Sequence, residues 1–407
     1  MEKLALEGGM PLKRIPYGTG HRFGAQELAE LKDALDYGSL AYWCKHKVTQ
    51  FCEKAKATFG AKYCAGCSSG SAAIHAAIAS LEIPPGHEVI TSPITDMGSI
   101  IGIIYENLIP VFADVEPHTY NITAESVEKA ITPRTRAIIP VHLAGAPCDM
   151  DSILEVAGRH GLPVIEDCAQ AYGALYHGRH VGNFGAIGCF SLNDSKHLSA
   201  GEGGFAITDD ERLYGLLHNN MDKFYDRLGQ GNRLRRVAPN YRASELQYAV
   251  GLAQLGRLEA LVEARRRYVA ALEEGLGGIP GVTPPSVLPD TKPSWWFYMI
   301  RLQPGRFRGD GPRFAEALRA EGVPAMAGYI PRPIYREALF ADKSFFPGGI
   351  WPAEILSGQS YSYPAGLCPV AEEVLATAIR LPVSEFFTVQ DARDTAAAIR
   401  KVAQGLG

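Results

Sequence analysis

The sequence predicts an α/β protein with a mostly parallel central sheet in its larger part and a smaller α+β part at the C-terminus. Three observations predict it. Between about residues 55 and 210, short apolar β-branched runs alternate with helix-like segments, the pattern of a parallel sheet covered on both faces. A Gly- and Pro-rich stretch, GGIPGVTPPSVLPDTKPS (277–294), reads as a boundary loop. Beyond it strands and helices alternate again on a smaller scale. The chain therefore divides into 1–276 and 277–407, and about the first 30 residues are expected to pack on the smaller part.

In chain order, the strand-like runs are HEVITSP (87–93), IPVFADV (109–115), TRAIIPVHL (135–143), LPVIEDC (162–168), IGCFSL (187–192) and GFAITD (204–209). Each is short enough for a buried strand. Between them lie the helical segments SGSAAIHAAIASL (69–81) and MDSILEVAGRHG (150–161). A single helical pattern over 244–276, SELQYAVGLAQLGRLEALVEARRRYVAALEEGL, is long enough to connect two domains. The smaller part opens on WWFYMIRL as a strand, continues with RFAEALRAEGV as a helix and closes with a helix near DARDTAAAIRKVA (391–403). The segment FFPGGIWPAEILSGQSYSYPAG (345–366) has no regular period, and its length reads as a lid or substrate loop.

Composition narrows the function. The 407 residues are 46% hydrophobic and 21% charged, enough to bury a substantial core. Forty Lys and Arg stand against 44 Asp and Glu, so no basic excess points to nucleic acid. No apolar run approaches the roughly 20 residues of a bilayer span, and no membrane role is expected. The opening MEKLALEGGMPLKRIPYG lacks the apolar core of a signal peptide. Eight cysteines are too sparse for a disulfide scaffold; the expectation is a cytoplasmic protein with reduced thiols. No G-x-G-x-x-G follows a first strand, which argues against a dinucleotide-binding fold. Cys64-x-x-Cys67 has no second pair at zinc-finger spacing, so no metal site is expected.

Ligands of such sheets bind at the carboxyl ends of the strands, and three segments there carry chemistry. The run VIEDCAQ ends in Asp167, with Gln170 just beyond. A buried strand-end carboxylate either caps the next turn or needs a cationic partner, such as the protonated ring nitrogen of pyridoxal phosphate. In GCFSLNDSKHLSAGEGGFAI, Lys196 follows a strand by a few residues. A partly desolvated lysine has a lowered pKa and forms a Schiff base readily. Glycines at 201, 203 and 204 let the backbone pass close to a ligand. CSSGSAAIHAAIA opens a helix whose N-terminus suits a phosphate at Ser69, Gly70, Ser71 and Ala72; the same residues fit an ordinary Ser cap. RLRR (233–236) and RRRY (265–268) read as solvated faces, the first alternatively as a contact for a nucleotide diphosphate or a phosphorylated substrate.

The segments SSGSAAIHAA, PVFADVEPHTYNI, AIIPVHLAGAPCDM, VIEDCAQAYGA, CFSLNDSKHLSAGEGG and NYRASELQYAVGLAQL follow one another over about residues 65–255. In that order they resemble the DegT/DnrJ/EryC1/StrS family of pyridoxal-phosphate-dependent sugar aminotransferases. The resemblance implies the aspartate-aminotransferase-like fold, fold type I. It also implies roles. Lys196 carries the cofactor as a Schiff base and moves the proton. Asp167 partners the ring nitrogen, and Gln170 neighbours the phenolic oxygen. Ser71, the backbone of Ala72 and Ser191 hold the phosphate. Asn240, in NYR, is the asparagine lent to the neighbouring subunit's phosphate, which makes the protein a homodimer with shared active sites. His142 sits at a strand end near the cofactor, either functional or a satisfied supporting residue.

The implied reaction moves an amino group from L-glutamate or L-glutamine to a ketosugar. Pyridoxal 5'-phosphate is the cofactor, and pyridoxamine 5'-phosphate its form in the second half-reaction. A nucleotide-linked keto-deoxysugar is the expected acceptor. A free keto-cyclitol or ketosugar of an aminoglycoside-type pathway is the alternative, since YIPRPIYREALF (329–340) and CPVAEEV (368–374) resemble the cyclitol-transaminating branch. Two other classes stay open: a pyridoxamine-dependent sugar dehydratase, whose relatives carry histidine in place of the Schiff-base lysine, and a non-catalytic regulatory or binding protein. Three positions depart from the family pattern. Asp96 stands where an aromatic residue stacks on the cofactor, leaving Met97 or another side chain to cover the ring. Tyr172 stands where many relatives have histidine, and Trp295–Trp296 occupies a segment where histidine is common.

Overall fold

The computed structural model describes residues 2–231 and 233–407. The apolar runs form the strands β1 (Tyr63–Cys67), β2 (Glu88–Thr91), β3 (Ile109–Phe112), β4 (Thr135–Ile139), β5 (Ile165–Asp167), β6 (Ile187–Ser191) and β7 (Gly204–Thr208). They make two ladders, β3-β2-β4 and β1-β7-β6-β5. Parallel bridges Ile138–Val164 and Val141–Asp167 join the two, giving the order β3-β2-β4-β5-β6-β7-β1. Only β7 runs against the rest. Nearly every residue of these strands is buried, as both faces of a parallel sheet require. The carboxyl ends of β1, β2, β4, β5 and β6 therefore lie along one edge, and the loops leaving them meet there.

Helices cover the sheet and are capped where the sequence supplies caps. Gly70–Ser80 starts at Ser69, whose Oγ accepts from Ala72 N at 3.0 Å. Met150–His160 starts at Asp149 and ends at Gly161, whose φ of 63° is left-handed, a conformation glycine adopts at little cost. The single helix expected over 244–276 is two, Glu245–Leu255 and Leu258–Leu276. The chain turns between them at Gly256–Arg257. Glycine contributes no side chain to hold the helix there, and Arg257 leaves the axis to pair with Glu27.

A second, antiparallel sheet is built from β8 (Val282–Thr283), β9 (Phe297–Leu302), β10 (Met326–Ala327) and β11 (Ala378–Pro382) in the order β8-β9-β11-β10. The helices Gly311–Ala320, Val389–Leu406 and Leu258–Leu276 enclose its core, which includes Leu272, Tyr298, Phe314, Leu381 and Ile399. The N-terminal residues join that core through Leu4. Lys13 fastens them further, with Nζ 2.6 Å from Asp391.

Residues 345–366 do not close over the carboxyl edge of the sheet. They hold a short helix, Pro352–Ser357, and pack an aromatic cluster of Phe345, Trp351, Tyr361 and Tyr363 against Ile109 and Val111 of β3. Tyr363 OH donates to Pro110 O at 2.9 Å, and Tyr361 OH to Glu88 at 2.8 Å. β3 is the outer strand, and an uncovered outer strand invites edge-to-edge pairing. The lid expected from the sequence is instead a cover for that strand.

Candidate active site

A cleft of about 290 Å³ opens where the strand ends meet. Its walls include Ser71, Asp167, Gln170, Ser191 and Lys196, five of the seven residues selected from the sequence. Each follows from its strand. Ser71 lies in the first turn after β1, Asp167 ends β5, Ser191 ends β6, and Lys196 stands in the loop that returns to β7.

Asp167 is buried at 4% exposure. Its Oδ2 accepts from Ser99 Oγ at 2.6 Å and its Oδ1 from Ala169 N at 3.0 Å. Burial nevertheless pushes its pKa up, against the opposing pull of those donors, of Lys196 and of His142. No cation forms an ion pair with it among the described residues, so a desolvated carboxylate faces the cleft without a positive partner, an arrangement that costs free energy until one arrives. Gln170 is fixed at both ends: Oε1 accepts from Ala144 N at 2.8 Å, and Nε2 donates to Tyr329 OH at 3.2 Å.

Lys196 is half-buried, and its Nζ sits 3.6 Å from the centre of the Trp296 ring. Burial lowers its pKa to about 8, an effect that Asp167 and Asp96 oppose and Arg380 assists. The amine is thus held where a neutral nucleophile is abundant near physiological pH.

The floor of the cleft is the start of the helix Gly70–Ser80. The N–H groups of Gly70 and Ser71 belong to the first turn and have no intrahelical acceptor, and the helix dipole favours an anion there. Gly70 is required: a Cβ there would stand 2.6 Å from Ser191 Cβ. Ala72 differs from the expectation, because its N–H already donates to the Ser69 cap and it does not line the cleft.

Asn240 is exposed on the chain leaving Asp222, with which it forms an isolated bridge, and it does not line the cleft of its own chain. His142 is fully buried beneath the strand ends. Its Nδ1 accepts from Cys148 N, and its Nε2 lies 3.1 Å from Glu166. Glu166 and Cys168 complete the one group with metal-ligand spacing among the described residues. Glu166 already accepts from the backbone of Gly182, Phe184 and Gly185, so it serves as a buried staple. Asp96 does line the cleft, whereas Met97 packs on the core beside it. Tyr172 is buried and donates to Ser191 O at 3.0 Å.

Sequence reasoning missed Ser99, Tyr329 and Arg380. Ser99 had only a faint signal, a serine eight residues past the end of β2, in the short 3-10 turn Met97–Ser99. Tyr329 and Arg380 come from the second sheet region, and nothing local marks them.

A model of the DegT/DnrJ/EryC1/StrS aminotransferase family matches residues 22–400. A protein of Streptoalloteichus tenebrarius, whose proposed activity is L-glutamine:3-amino-2,3-dideoxy-scyllo-inosose amino transfer, is 36% identical over 351 residues, 83% of each chain. A UDP-N-acetyl-3-dehydro-α-D-glucosamine 3-aminotransferase of Acidithiobacillus ferrooxidans is 35% identical over 355 residues, 85% of this chain and 86% of its own. The X-ray structure of an aminotransferase from Psychrobacter cryohalolentis superposes with a TM-score of 0.86 at 28% identity, over 96% of this chain and 100% of its own.

Proposed function

The chain belongs to the DegT/DnrJ/EryC1/StrS aminotransferase family and has its fold type I architecture; from that premise we propose that it binds pyridoxal 5'-phosphate in the cleft and transfers an amino group from L-glutamate or L-glutamine to a ketosugar. The observation that carries this reading is Asp167, a buried carboxylate open to the cleft, with no ion-pair partner among the described residues and a lysine of lowered pKa in the same cleft. The donor set fits the group: an anion seat at the helix start, a hydroxyl at Ser191, and a carboxylate placed for a ring cation. When bound, the cofactor supplies an electron sink that stabilises negative charge at the donor's α-carbon.

The chain's own residues supply the rest. Lys196 would anchor the cofactor and, as its freed amine, would move the proton from the donor's α-carbon to the cofactor in the first half-reaction and from the cofactor to the acceptor's carbon in the second. Asp167 holds positive charge on the ring nitrogen through both half-reactions. Gln170, clamped between Ala144 and Tyr329, orients the phenolic side. Ser71, Ser191 and the first helical turn hold the phosphate. The Trp296 ring closes one side of the lysine and keeps bulk water from it.

We read the protein as a homodimer, with Asn240 reaching the neighbouring subunit's phosphate, because it is exposed and does not line its own cleft. We read residues 1–276 and 277–407 as its two domains. A cytoplasmic setting is supported by eight free cysteines, six of them buried. No helix among the described residues is long and apolar enough to cross a membrane.

A nucleotide-linked keto-deoxysugar is the first acceptor proposed, as in the UDP-sugar relative. A keto-cyclitol is favoured by the inosose relative. The visible absorption spectrum tests the activity. The loaded protein should show a yellow band that L-glutamate bleaches, and Lys196→Ala should lack the band or its response. A protein that stays colourless with added cofactor sinks the reading. Tight binding of a uridine, thymidine or guanosine diphosphate then separates the first acceptor from the second.

A further inference from the structure

His75 lies on the helix Gly70–Ser80, four residues beyond Ser71, and does not line the cleft. It is buried, and both ring nitrogens are engaged: Nδ1 lies 2.7 Å from Tyr241 OH and Nε2 2.9 Å from Glu106. An ionised carboxylate only accepts, so Nε2 carries a proton, and in the neutral ring Nδ1 accepts from the tyrosine hydroxyl. Glu106 reaches the ring because the short helix before it, Ile101–Tyr105, passes close. A Cβ on Gly102 would stand 2.7 Å from His75 Cα. The amino transfer proposed above uses none of these three side chains.

What sets Tyr241 apart is that one element holds both of its ends. Its carbonyl accepts from Ser68 N at 2.7 Å, just ahead of the helix, and its hydroxyl meets His75 near the helix centre. Between those two contacts lie Gly70 and Ser71, the seat read above for the cofactor phosphate. Tyr241 N donates to Met221 O at 2.8 Å, and Lys223 N donates to Pro239 O at 2.8 Å. Asn240 thus stands between two anchored residues and is itself exposed. Arg242 pairs with Asp222 at 2.9 Å, which ties the segment back to the chain it leaves. Among the described residues, the Tyr241 hydroxyl alone joins the side chains of 239–242 to the helix by a hydrogen bond.

We infer that His75 is a positioning residue for the neighbouring subunit's cofactor: it holds Tyr241 against the helix Gly70–Ser80 and so aims Asn240 across the interface. The inference rests on the reading above of a homodimer with shared sites. Without an acceptor for the tyrosine hydroxyl, the segment pivots on its backbone bonds and Asn240 shifts with it. A hydrogen bond weakens steeply outside a narrow range of distance and angle, so a small tilt is felt at the neighbour's phosphate. The helix that seats one subunit's phosphate therefore also sets the reach toward the other's. His75 joins the two sites without touching either cofactor.

The test uses hybrid dimers, assembled from two differently tagged full-length subunits and titrated with pyridoxal phosphate. One subunit carries Lys196→Ala and cannot form the yellow band; the other reports cofactor affinity through its band. His75→Leu in the silent subunit should weaken binding at the reporting subunit about three- to tenfold, the worth of one neutral hydrogen bond. Asn240→Ala in the silent subunit should weaken it at least as much, and His75→Leu added to Asn240→Ala should change nothing more. His75→Gln keeps one donor and one acceptor and should recover part of the loss. A loss seen only when His75→Leu stands in the reporting subunit overturns the inference, since the histidine then serves the packing of its own helix. So does a loss that adds to that of Asn240→Ala. If His75→Leu does not fold, Tyr241→Phe removes the hydroxyl alone and is judged by the same outcomes. A wild-type protein that forms no band, is monomeric in ultracentrifugation, or is indifferent to Asn240→Ala in the silent subunit sinks the shared-site reading itself, and the inference with it.

Discussion

Ser99→Ala isolates the support beneath Asp167. The serine hydroxyl donates at 2.6 Å to Oδ2, leaving only the Ala169 N–H on the other oxygen. A hydrogen bond to an ionised group is worth about 1.5–3 kcal/mol net. Burial already pushes the Asp167 carboxyl up. Without the serine, which opposes that push, the carboxyl should move further up. A carboxyl that keeps its proton cannot hold positive charge on a ring nitrogen. Affinity for pyridoxal phosphate should therefore fall, by at most about 10- to 100-fold, toward the acidic end of the range and recover as pH rises, because the carboxylate form returns. The assay is an absorbance titration of cofactor-free protein at several values from pH 6 to 9. Ser99→Thr keeps the hydroxyl and should behave as wild type. Thr95→Ala removes the 2.6 Å neighbour of Ser99 but spares the bond to Asp167, and should have a small effect. An affinity within twofold of wild type throughout would refute the argument. So would a loss as large at pH 9 as at pH 6, since packing damage does not titrate.

Three further outcomes are expected. The rate at which cofactor-free protein captures pyridoxal phosphate should rise with pH through about 8, the pKa of Lys196: at pH 8 about half of these amines are neutral, against about one in 300 for an ordinary lysine. A stopped-flow midpoint near 10 contradicts the assignment. Gly70→Ala drives a Cβ to within 2.6 Å of Ser191 Cβ, so the helix start must move off β6, and the phosphate seat with it. Equilibrium titration should show cofactor affinity lowered by at least tenfold or about that, with near-normal melting of the cofactor-free protein. Trp351→Ala removes the centre of the cluster covering β3, at a cost of about 3–5 kcal/mol; limited proteolysis should cut within 343–366 far sooner, while the glutamate-sensitive band persists.

The residues legible in the sequence are those whose chemistry is declared by their neighbours along the chain. Asp167 and Ser191 end apolar runs, Gln170, Lys196 and Ser71 sit a short turn beyond one, and a parallel sheet delivers all such positions to one edge. Tyr329 and Arg380 were not legible, because their approach is set by packing between distant segments: Tyr329 meets Gln170 across 159 positions. The reading of 345–366 as a lid failed on composition rather than on length. Two phenylalanines, a tryptophan and two tyrosines in 22 residues are too apolar for a segment that lives over water, and they bury themselves against the outer strand. Gly256 likewise marked the break in the long helix, but one glycine in an otherwise strong helical pattern is a weak stop.

The loop that carries Lys196 shows why local reading reaches the residue but not its setting. The chemistry asks for an amine free to move at Nζ and a backbone that stays in place. Residues 194–197 have no regular secondary structure to hold them. Instead, three consecutive carbonyls are taken by donors from elsewhere in the chain. Arg22 Nη1 bonds Asp194 O, Trp296 Nε1 bonds Ser195 O at 2.6 Å, and Arg22 Nη2 bonds Lys196 O at 2.5 Å. Arg22 is steadied in turn by Glu385 at 3.5 Å, the carboxylate that also takes Arg265. The central sheet alone would leave the lysine on an unsupported turn. Its placement depends on Arg22 and on Trp296, just before β9, so the N-terminal segment and the second sheet region are as much part of the proposed active site as the strand ends.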